Sequence, residues 1–401
     1  MAGLAALAIG YVLSQFYRTF LAVLTPELTG QIGMSNTELS IASGAWFAAF
    51  ALMQFIVGVS LDRYGPRLTA GVLLAFGGGG GALVFAAASE PWMVIAAMTL
   101  IGIGCSPVLM ASVFLFARSF SPARLAILTS WLIGFGSAGN VMGASPLAAA
   151  AEAFGWRGVI VALGAVTLLT AFAIILFVRD PEKLPEDALG RAGFGGYLDL
   201  FKIRALWLLL PLIAVNYAPS VGIRGLWAGP YLLEVHEATA LLIGHVTLIM
   251  ALAMVVGNFI YGPLDTLFGT RKWVAFIGNV IGLLALTALA FMPLAEIWMV
   301  IVLFAIIGLS GASYGLLIAH GRAFLPPHLT GRGVTLLNFF SIGGVGLIQF
   351  ATGGVVATSE VAGDPAAAYS ALFAFYALLM AVSLLFFLFA RDAKPEQLHK
   401  D

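Results

Sequence analysis

The segment GVSLDRYGPR at residues 58–67 returns in a looser form as GPLDTLFGTR at residues 262–271. Each copy joins a glycine, an aspartate, a second glycine and a closing arginine. The two aspartates, Asp62 and Asp265, are 203 residues apart. Such a spacing in a chain of 401 residues divides it into two similar halves, so the same architecture is expected twice.

Composition restricts that architecture to a membrane protein. Hydrophobic residues make up 61% of the chain, charged residues only 9%, and the mean hydropathy is +1.03. Soluble domains carry roughly 25% charged residues. The formal net charge of zero argues against a nucleic-acid partner, and the single cysteine, Cys105, excludes a disulfide framework and a thiol metal cluster.

Runs of about 20 apolar residues predict an all-α membrane protein with twelve transmembrane helices in two pseudo-symmetric six-helix bundles. The predicted spans are 4–28, 37–61, 68–88, 93–117, 124–149, 157–178, 205–232, 239–264, 273–292, 296–320, 333–356 and 367–390. A charged break at 179–204 predicts a linker between domains 1–178 and 205–401.

Orientation follows from the positive charges. With the N-terminus inside, sixteen of the nineteen Lys and Arg residues fall in cytoplasmic segments, and only Arg157 lies outside. Cytoplasmic loops of membrane proteins carry such an excess. We expect a multi-pass protein of the inner (plasma) membrane, surrounded by lipid bilayer, with both termini cytoplasmic.

The two remaining arginines, Arg18 and Arg224, lie in the middle of apolar spans at matching places, 206 residues apart. A guanidinium at membrane depth costs roughly 2.5–3.5 kcal/mol on insertion scales, and it cannot lose its proton. These residues therefore predict a paired receptor for a negatively charged substrate. The alternative is that each guanidinium pairs with a helix carbonyl or a buried carboxylate.

In these features the chain resembles the major facilitator superfamily over nearly its whole length. The segment at 58–67 resembles the signature loop between that family's second and third helices. The resemblance implies alternating access, with the halves related by an axis along the membrane normal and the substrate held between them. It also implies a cytoplasmic charge network that gates transport, formed by Asp62, Arg63 and Arg67, with Asp265 in a degenerate second copy.

Within the superfamily, the pattern is closest to organic-anion transporting members. Those place one substrate-gripping arginine in the first helix and one in the seventh, where Arg18 and Arg224 stand. Drug–proton antiporters have an arginine early in the fourth helix, and the span 93–117 contains none. The antiporters also have a Gly-Pro signature in the fifth helix, which this chain lacks.

Helical spacing supplies the remaining site candidates, because residues three and four apart share a face. Beside Arg18 and Arg224, the predicted substrate-binding residues are Tyr11, Ser14, Gln15, Tyr217, Ser220, Trp227, Tyr314 and Asn338. A coupling proton could be carried by His245, because histidine is the usual proton carrier among side chains, or by Glu27. Neither a cofactor nor a metal is expected.

The leading hypothesis is a monomeric, proton-coupled secondary transporter for a small organic anion, most simply a carboxylate. The sequence leaves three alternatives open: an obligate anion exchanger, a transporter of neutral or drug-like solutes, and a non-transporting membrane sensor or scaffold. No motif for nucleotide binding, metal binding or nucleophilic catalysis was found, so enzymatic activity is not expected.

Overall fold

The computed structural model describes residues 2–120, 122–181, 200–326, 330–359 and 364–393. Ten of the described helices are long and apolar enough to cross a membrane. They are Asn36–Leu61, Arg63–Ala86, Pro91–Ser119, Trp156–Phe177, Arg204–His236, Ala240–Phe268, Arg271–Phe291, Ile297–Arg322, Gly333–Ser359 and Pro365–Leu388. Most of the predicted linker, residues 182–199, lies outside the described part of the chain.

Helices also occupy the two predicted spans outside that set. Ala2–Phe16 is a shorter apolar helix within the first span, and Pro122–Met142 is followed by Ser145–Phe154 in the fifth. Every predicted span therefore contains helix, and the all-α fold is confirmed. The number of twelve membrane crossings stays a prediction.

The residues fall into two compact units. The first contains residues 1–184 and 225–248, and the second contains residues 185–224 and 249–401. Each unit has an apolar core of its own. Buried side chains at the centre of the first include Leu7, Val57, Leu74, Val108 and Ile174. Those of the second include Leu212, Ala275, Leu317, Leu337 and Phe387. The predicted domain limits at 178 and 205 stay a prediction.

The first span is not one continuous helix, contrary to the prediction for 4–28. Its regular part ends at Phe16, and turns lead to a short helical turn at Thr25–Glu27 and a π-helical turn at Leu28–Ile32. Within this break the backbone N–H of Ala22 donates to the carbonyl of Gly225, 3.1 Å away, instead of to its own helix. The regular helix that the sequence predicted around Arg18 therefore ends before that residue.

The seventh span is helical at both ends and wider in the middle. Leu210–Gly222 and Ala228–His236 are α-helices, and the turn Ile223–Trp227 between them is π-helical. Pro219 has no N–H to donate one turn back, and the N–H of Ile223 is shared between the carbonyls of Pro219 and Ser220. π-Helical turns of this kind are frequent at functional sites.

Both copies of the repeated loop turn on a glycine in the left-handed region. Gly65 has φ +82° and ψ 168°, where the helix Asn36–Leu73 kinks, and Gly269 has φ +64° after the helix Ala240–Phe268. Glycine adopts such a backbone without the steric cost that a Cβ brings. The repeat read from the sequence therefore corresponds to a repeated backbone turn.

Candidate functional site

The guanidinium of Arg18 lies against two aromatic rings of the second span. Its Cζ is 5.3 Å from the centroid of the Trp46 ring and 5.4 Å from that of Phe50. The two rings stack on each other at 5.1 Å with an interplanar angle of 18°. A cation over aromatic faces is stabilised by the ring quadrupoles, which offsets part of the cost of placing Arg18 in an apolar setting.

Close helix packing brings other polar groups of the first unit together. Gly139 of the fifth span lies against the backbone carbonyl of Val12, where a Cβ would clash. This approach lets the amide of Asn140 reach Gln15 Oε1 at 3.4 Å, while Gln15 Nε2 donates to Tyr11 Oη at 2.7 Å. The i, i+4 pair expected from helical spacing is thus present, with Asn140 as an added member.

The first unit also includes the outer part of the seventh span. Trp227 and Tyr231 are fully buried there, and Ser14 of the first helix is 1% exposed. Gly229 packs directly on the carbonyl of Ala22 and the side chain of Thr25. Trp227 therefore belongs to a tightly packed interior.

In the second unit the structure joins three predicted site residues. The rings of Tyr217 and Tyr314 lie 5.1 Å apart, and the hydroxyl of Tyr314 donates to Asn338 Oδ1 at 2.5 Å. Ser220 and Arg224 are each 1% exposed. These residues combine aromatic surface, hydroxyl and amide groups and a buried cation, which is the chemistry of an anion site.

A buried polar network next to Tyr217 was not predicted from the sequence. The Asn216 Nδ2 donates to Asn279 Oδ1 at 2.6 Å and to Ser313 Oγ at 2.9 Å, and Asn279 Nδ2 donates to the same hydroxyl at 3.0 Å. It ties the seventh, ninth and tenth spans together in the second unit. The presence of Asn216 and Asn279 within apolar runs was the sequence signal that could have predicted this network.

The predicted gating residues are only partly described. The side chain of Asp62 is outside what the structure describes. Arg63 is exposed, with its Cζ 5.4 Å from the Tyr64 ring centroid, and Asp265 is paired with Arg271 at 3.1 Å. The backbone N–H of Arg67 donates a hydrogen bond to Asp180 Oδ1 at 2.9 Å.

Asp392 in the second unit corresponds to Asp180 in the first, because each carboxylate accepts a hydrogen bond from a backbone N–H at or just after the end of the repeated loop. It accepts from the backbone N–H of Lys272 at 3.0 Å and from the Thr270 hydroxyl at 2.6 Å. Partial burial acts to raise the pKa of Asp392, but these hydrogen bonds outweigh it and hold the pKa below its usual value. Both aspartates follow an arginine just after a long helix, and this Arg-Asp repeat was the overlooked sequence signal.

The two proton-carrier candidates differ in environment. Glu27 is half-buried, and its Oε2 atom is buried without a hydrogen-bond partner among the described residues. His245 is exposed on the helix Ala240–Phe268. The part of the chain that the structure describes contains no cluster of three His, Cys, Asp or Glu residues that could hold a metal ion.

Comparison with known proteins agrees with this fold. Residues 7–223 and 221–401 each match the family model of the Major Facilitator Superfamily. A bacterial homologue of the human lysosomal transporter Spinster, solved inward-facing and unoccupied, superposes with a TM-score of 0.79 at 19% identity, covering 97% of this chain and 96% of that one. A D-xylose–proton symporter superposes with a TM-score of 0.75 at 12% identity, covering 98% of each chain.

Two curated relatives are named as transporters of organic acids. A probable L-galactonate transporter of Escherichia coli (strain K12) is 24% identical over 51% of this chain and 49% of its own length. A probable sulfoacetate transporter of Cupriavidus necator is 24% identical over 65% of this chain and 64% of its own length. The alignments thus span about half to just under two thirds of these relatives.

Proposed function

Because the chain belongs to the Major Facilitator Superfamily, a family of multi-pass membrane transporters and not of enzymes, we propose that it moves a small organic anion across the membrane by alternating access. The substrate is a carboxylate, and a proton accompanies it. The two six-helix domains are 1–178 and 205–401, in the inner membrane with cytoplasmic termini. The protein acts as a monomer.

One observation carries the choice of an anion. Arg18 holds a positive charge against the stacked pair of Trp46 and Phe50 rings, within a span of apolar sequence. A guanidinium offers a planar fork of donors that matches a carboxylate. The aromatic rings exclude water, and in such a setting the attraction between cation and anion is stronger than in water.

The polar groups around this charge favour a substrate that also carries hydroxyls. Tyr11, Gln15 and Asn140 form a chain of hydrogen bonds whose donors and acceptors can exchange partners with a polyol. In the second unit, Tyr217, Tyr314, Asn338 and Ser220 offer comparable groups together with Arg224. We propose that the residues of each set take part in substrate binding, with the buried side chains of Ser14 and Trp227 packed behind those of the first unit.

The named relatives support the same class. L-Galactonate is a carboxylate with several hydroxyls, and sulfoacetate is a small dianion. Both fit a receptor that contains arginine. A sugar acid matches the hydrogen-bonding groups better than a bare sulfonate, so we place polyhydroxy carboxylates first and sulfonated carboxylates second.

Proton coupling completes the proposal. Two guanidinium charges make the return of the empty carrier slow in a low-dielectric environment. Net uptake therefore needs a proton or another ion that assists this return, and the proton gradient would supply the driving force. Glu27 is the better candidate for the proton carrier, since one of its oxygens is buried and accepts no hydrogen bond from the described residues. His245 is the second candidate.

Uptake by proteoliposomes tests the function directly. Purified protein should accumulate radiolabelled L-galactonate, and sulfoacetate should compete with it. D-Galactose, which has the hydroxyls but no charge, should neither enter nor compete. Transport of the neutral sugar at the rate of the acid would reject an anion transporter. Liposomes preloaded with L-galactonate distinguish exchange: an obligate exchanger takes up label only when loaded, whereas a symporter also fills empty liposomes when the outside is acid.

A further inference from the structure

Trp46 presents a buried hydrogen-bond donor that has no acceptor. Its side chain is 0% exposed, and its Nε1–H has no hydrogen-bond partner among the described residues. An indole N–H can donate but not accept, so only an acceptor satisfies it. Leaving such a group unpaired in the interior costs about 1–3 kcal/mol. A residue type with the same shape and no N–H would avoid that cost.

The ring that carries this donor is fixed beside the cation. Phe50 stacks on it at 5.1 Å, and Phe47 meets it edge-on at 4.8 Å. Gly102 of the fourth span packs against the backbone carbonyl of Trp46, with no room for a Cβ. The indole cannot easily turn to find another acceptor, and Arg18 faces the same ring at 5.3 Å.

Trp46 lies too deep in the membrane for lipid or bulk solvent to supply the missing acceptor. Trp46 is ten residues into the helix that begins at Asn36, which places it about 15 Å along the helix axis. At that depth the hydrocarbon supplies no acceptors. An anion bound to Arg18 brings them, because a carboxylate has about four acceptor positions and a guanidinium fork uses two.

We propose that Trp46 is a substrate-binding residue whose Nε1–H donates to a carboxylate oxygen of the anion held by Arg18. This inference rests on the proposed transport of an organic anion and adds to it a specific contact. Arg18 supplies the charge and Trp46 supplies a directional donor that a halide or another spherical anion cannot match as well. The indole therefore favours carboxylates over simple inorganic anions.

The variant Trp46→Phe tests this contact, because it keeps an aromatic face beside Arg18 and removes only the N–H and part of the ring. We expect the affinity for L-galactonate, measured by titration calorimetry in detergent, to fall about tenfold, as for the loss of one hydrogen bond to a charged group. Trp156→Phe is the matched control. Its indole N–H already donates to Gln31 Oε1 at 2.9 Å, so the same change there should leave the affinity unaltered.

A second measurement observes the wild-type protein and uses the variant Trp46→Phe only to assign one resonance. With tryptophan labelled by 15N, the indole N–H resonance that is missing in Trp46→Phe belongs to Trp46. Adding L-galactonate should move that resonance downfield, as expected for a new hydrogen bond to a carboxylate, and chloride at equal ionic strength should not.

The outcomes separate the two proposals. Binding of L-galactonate with an unmoved Trp46 resonance, or equal affinity in Trp46→Phe and the wild type, overturns the role of Trp46 and leaves anion transport standing. If neither L-galactonate nor sulfoacetate binds the wild type, the proposed function is rejected and the role of Trp46 with it. A resonance that shifts equally with chloride would show a general anion effect and would also overturn the contact with a carboxylate.

Discussion

Arg18 and Arg224 occupy matching places in the repeat, yet their surroundings differ. Arg18 follows a helix that ends at Phe16, is half-buried and lies beside two aromatic rings that stack on each other. Arg224 lies in a π-helical turn and is only 1% exposed. A repeat thus preserves the residue type and its distance along the chain, but not the local backbone or the degree of burial.

We infer from this difference that the two cations have separate tasks. A more deeply buried charge costs more to desolvate and depends more strongly on its counter-charge. The charge of Arg18 is stabilised by aromatic faces, and this stabilisation remains when no substrate is bound. We expect substrate binding at Arg224 to depend strongly on the exact geometry of the anion. Binding at Arg18 should tolerate more variation.

The largest expected effects come from Arg224→Lys and Arg18→Lys, which keep the charge and remove the planar fork. Each should lower L-galactonate uptake by proteoliposomes by about a hundredfold, as for the loss of a charge-assisted hydrogen bond at about 3 kcal/mol. Arg224→Lys should be the more severe of the two in equilibrium affinity. Protein yield and size-exclusion profile should stay near those of the wild type.

Arg157→Lys provides the control for this pair. Its Nη1 donates to the carbonyls of Ala86 and Ala88 at 2.7 and 2.8 Å, so it is a structural arginine outside the proposed site. Uptake by this variant should stay close to normal. An Arg18→Lys or Arg224→Lys protein with wild-type flux would remove that residue from the substrate site.

The two copies of the repeated loop provide the next comparison. Asp62→Asn should slow uptake about tenfold and change L-galactonate affinity little, because a gating charge acts on the equilibrium between conformations. Asp265→Asn should have a weaker effect. In that copy the carboxylate is already paired with Arg271 at 3.1 Å, inside a loop whose sequence departs from the pattern. A large loss of affinity in Asp62→Asn with unchanged rates would contradict the gating role.

The sequence predicted the class of fold because the hydrophobic periodicity and the repeat are local signals. It also predicted the pair of Tyr11 and Gln15, since residues four apart share a helical face. It did not predict that the first helix ends at Phe16. No glycine or proline marks that point, and Ala22 leaves the helix for a partner more than 200 residues away, Gly225.

Contacts between distant segments were beyond sequence reasoning for the same physical reason. The ring of Trp46 meets Arg18 only because the second span packs beside the first. Asp180 and Asp392 find their backbone donors 113 and 120 residues away. Such contacts depend on which helices pack beside each other and at what height, and a single sequence does not contain that information.

Proton coupling is expected to change the rate of net uptake several-fold. Acidifying the outside should accelerate net uptake of L-galactonate into empty liposomes, while exchange in preloaded liposomes should respond less. Glu27→Gln should blunt the acid effect more than His245→Gln, because Glu27 has a buried oxygen without a hydrogen bond from the described residues and His245 is exposed. Equal rates in loaded and empty liposomes, independent of pH, would instead indicate a uniporter.

The smallest expected effect concerns the two aspartates that end the Arg-Asp repeat. Asp392 accepts hydrogen bonds from Thr270 and from the N–H of Lys272 at the start of a helix, whereas Asp180 is exposed and accepts one from the N–H of Arg67. Asp392→Asn should therefore lower the free energy of unfolding by about 1 kcal/mol at neutral pH, as for the loss of a good helix cap. Asp180→Asn should lower it by less.

The pH dependence of that difference gives the decisive measurement. Since the pKa of Asp392 in the folded protein lies below its usual value of 3.8, the ionised carboxylate stabilises the fold above that value. The stabilisation is lost as the pH falls through the lowered pKa and the carboxylate is protonated. In thermal unfolding, the gap in Tm between wild type and Asp392→Asn should therefore be present at pH 7 and shrink as the pH approaches 3. A gap that grows on acidification, or one equal to that of Asp180→Asn, would contradict the assigned role of these hydrogen bonds.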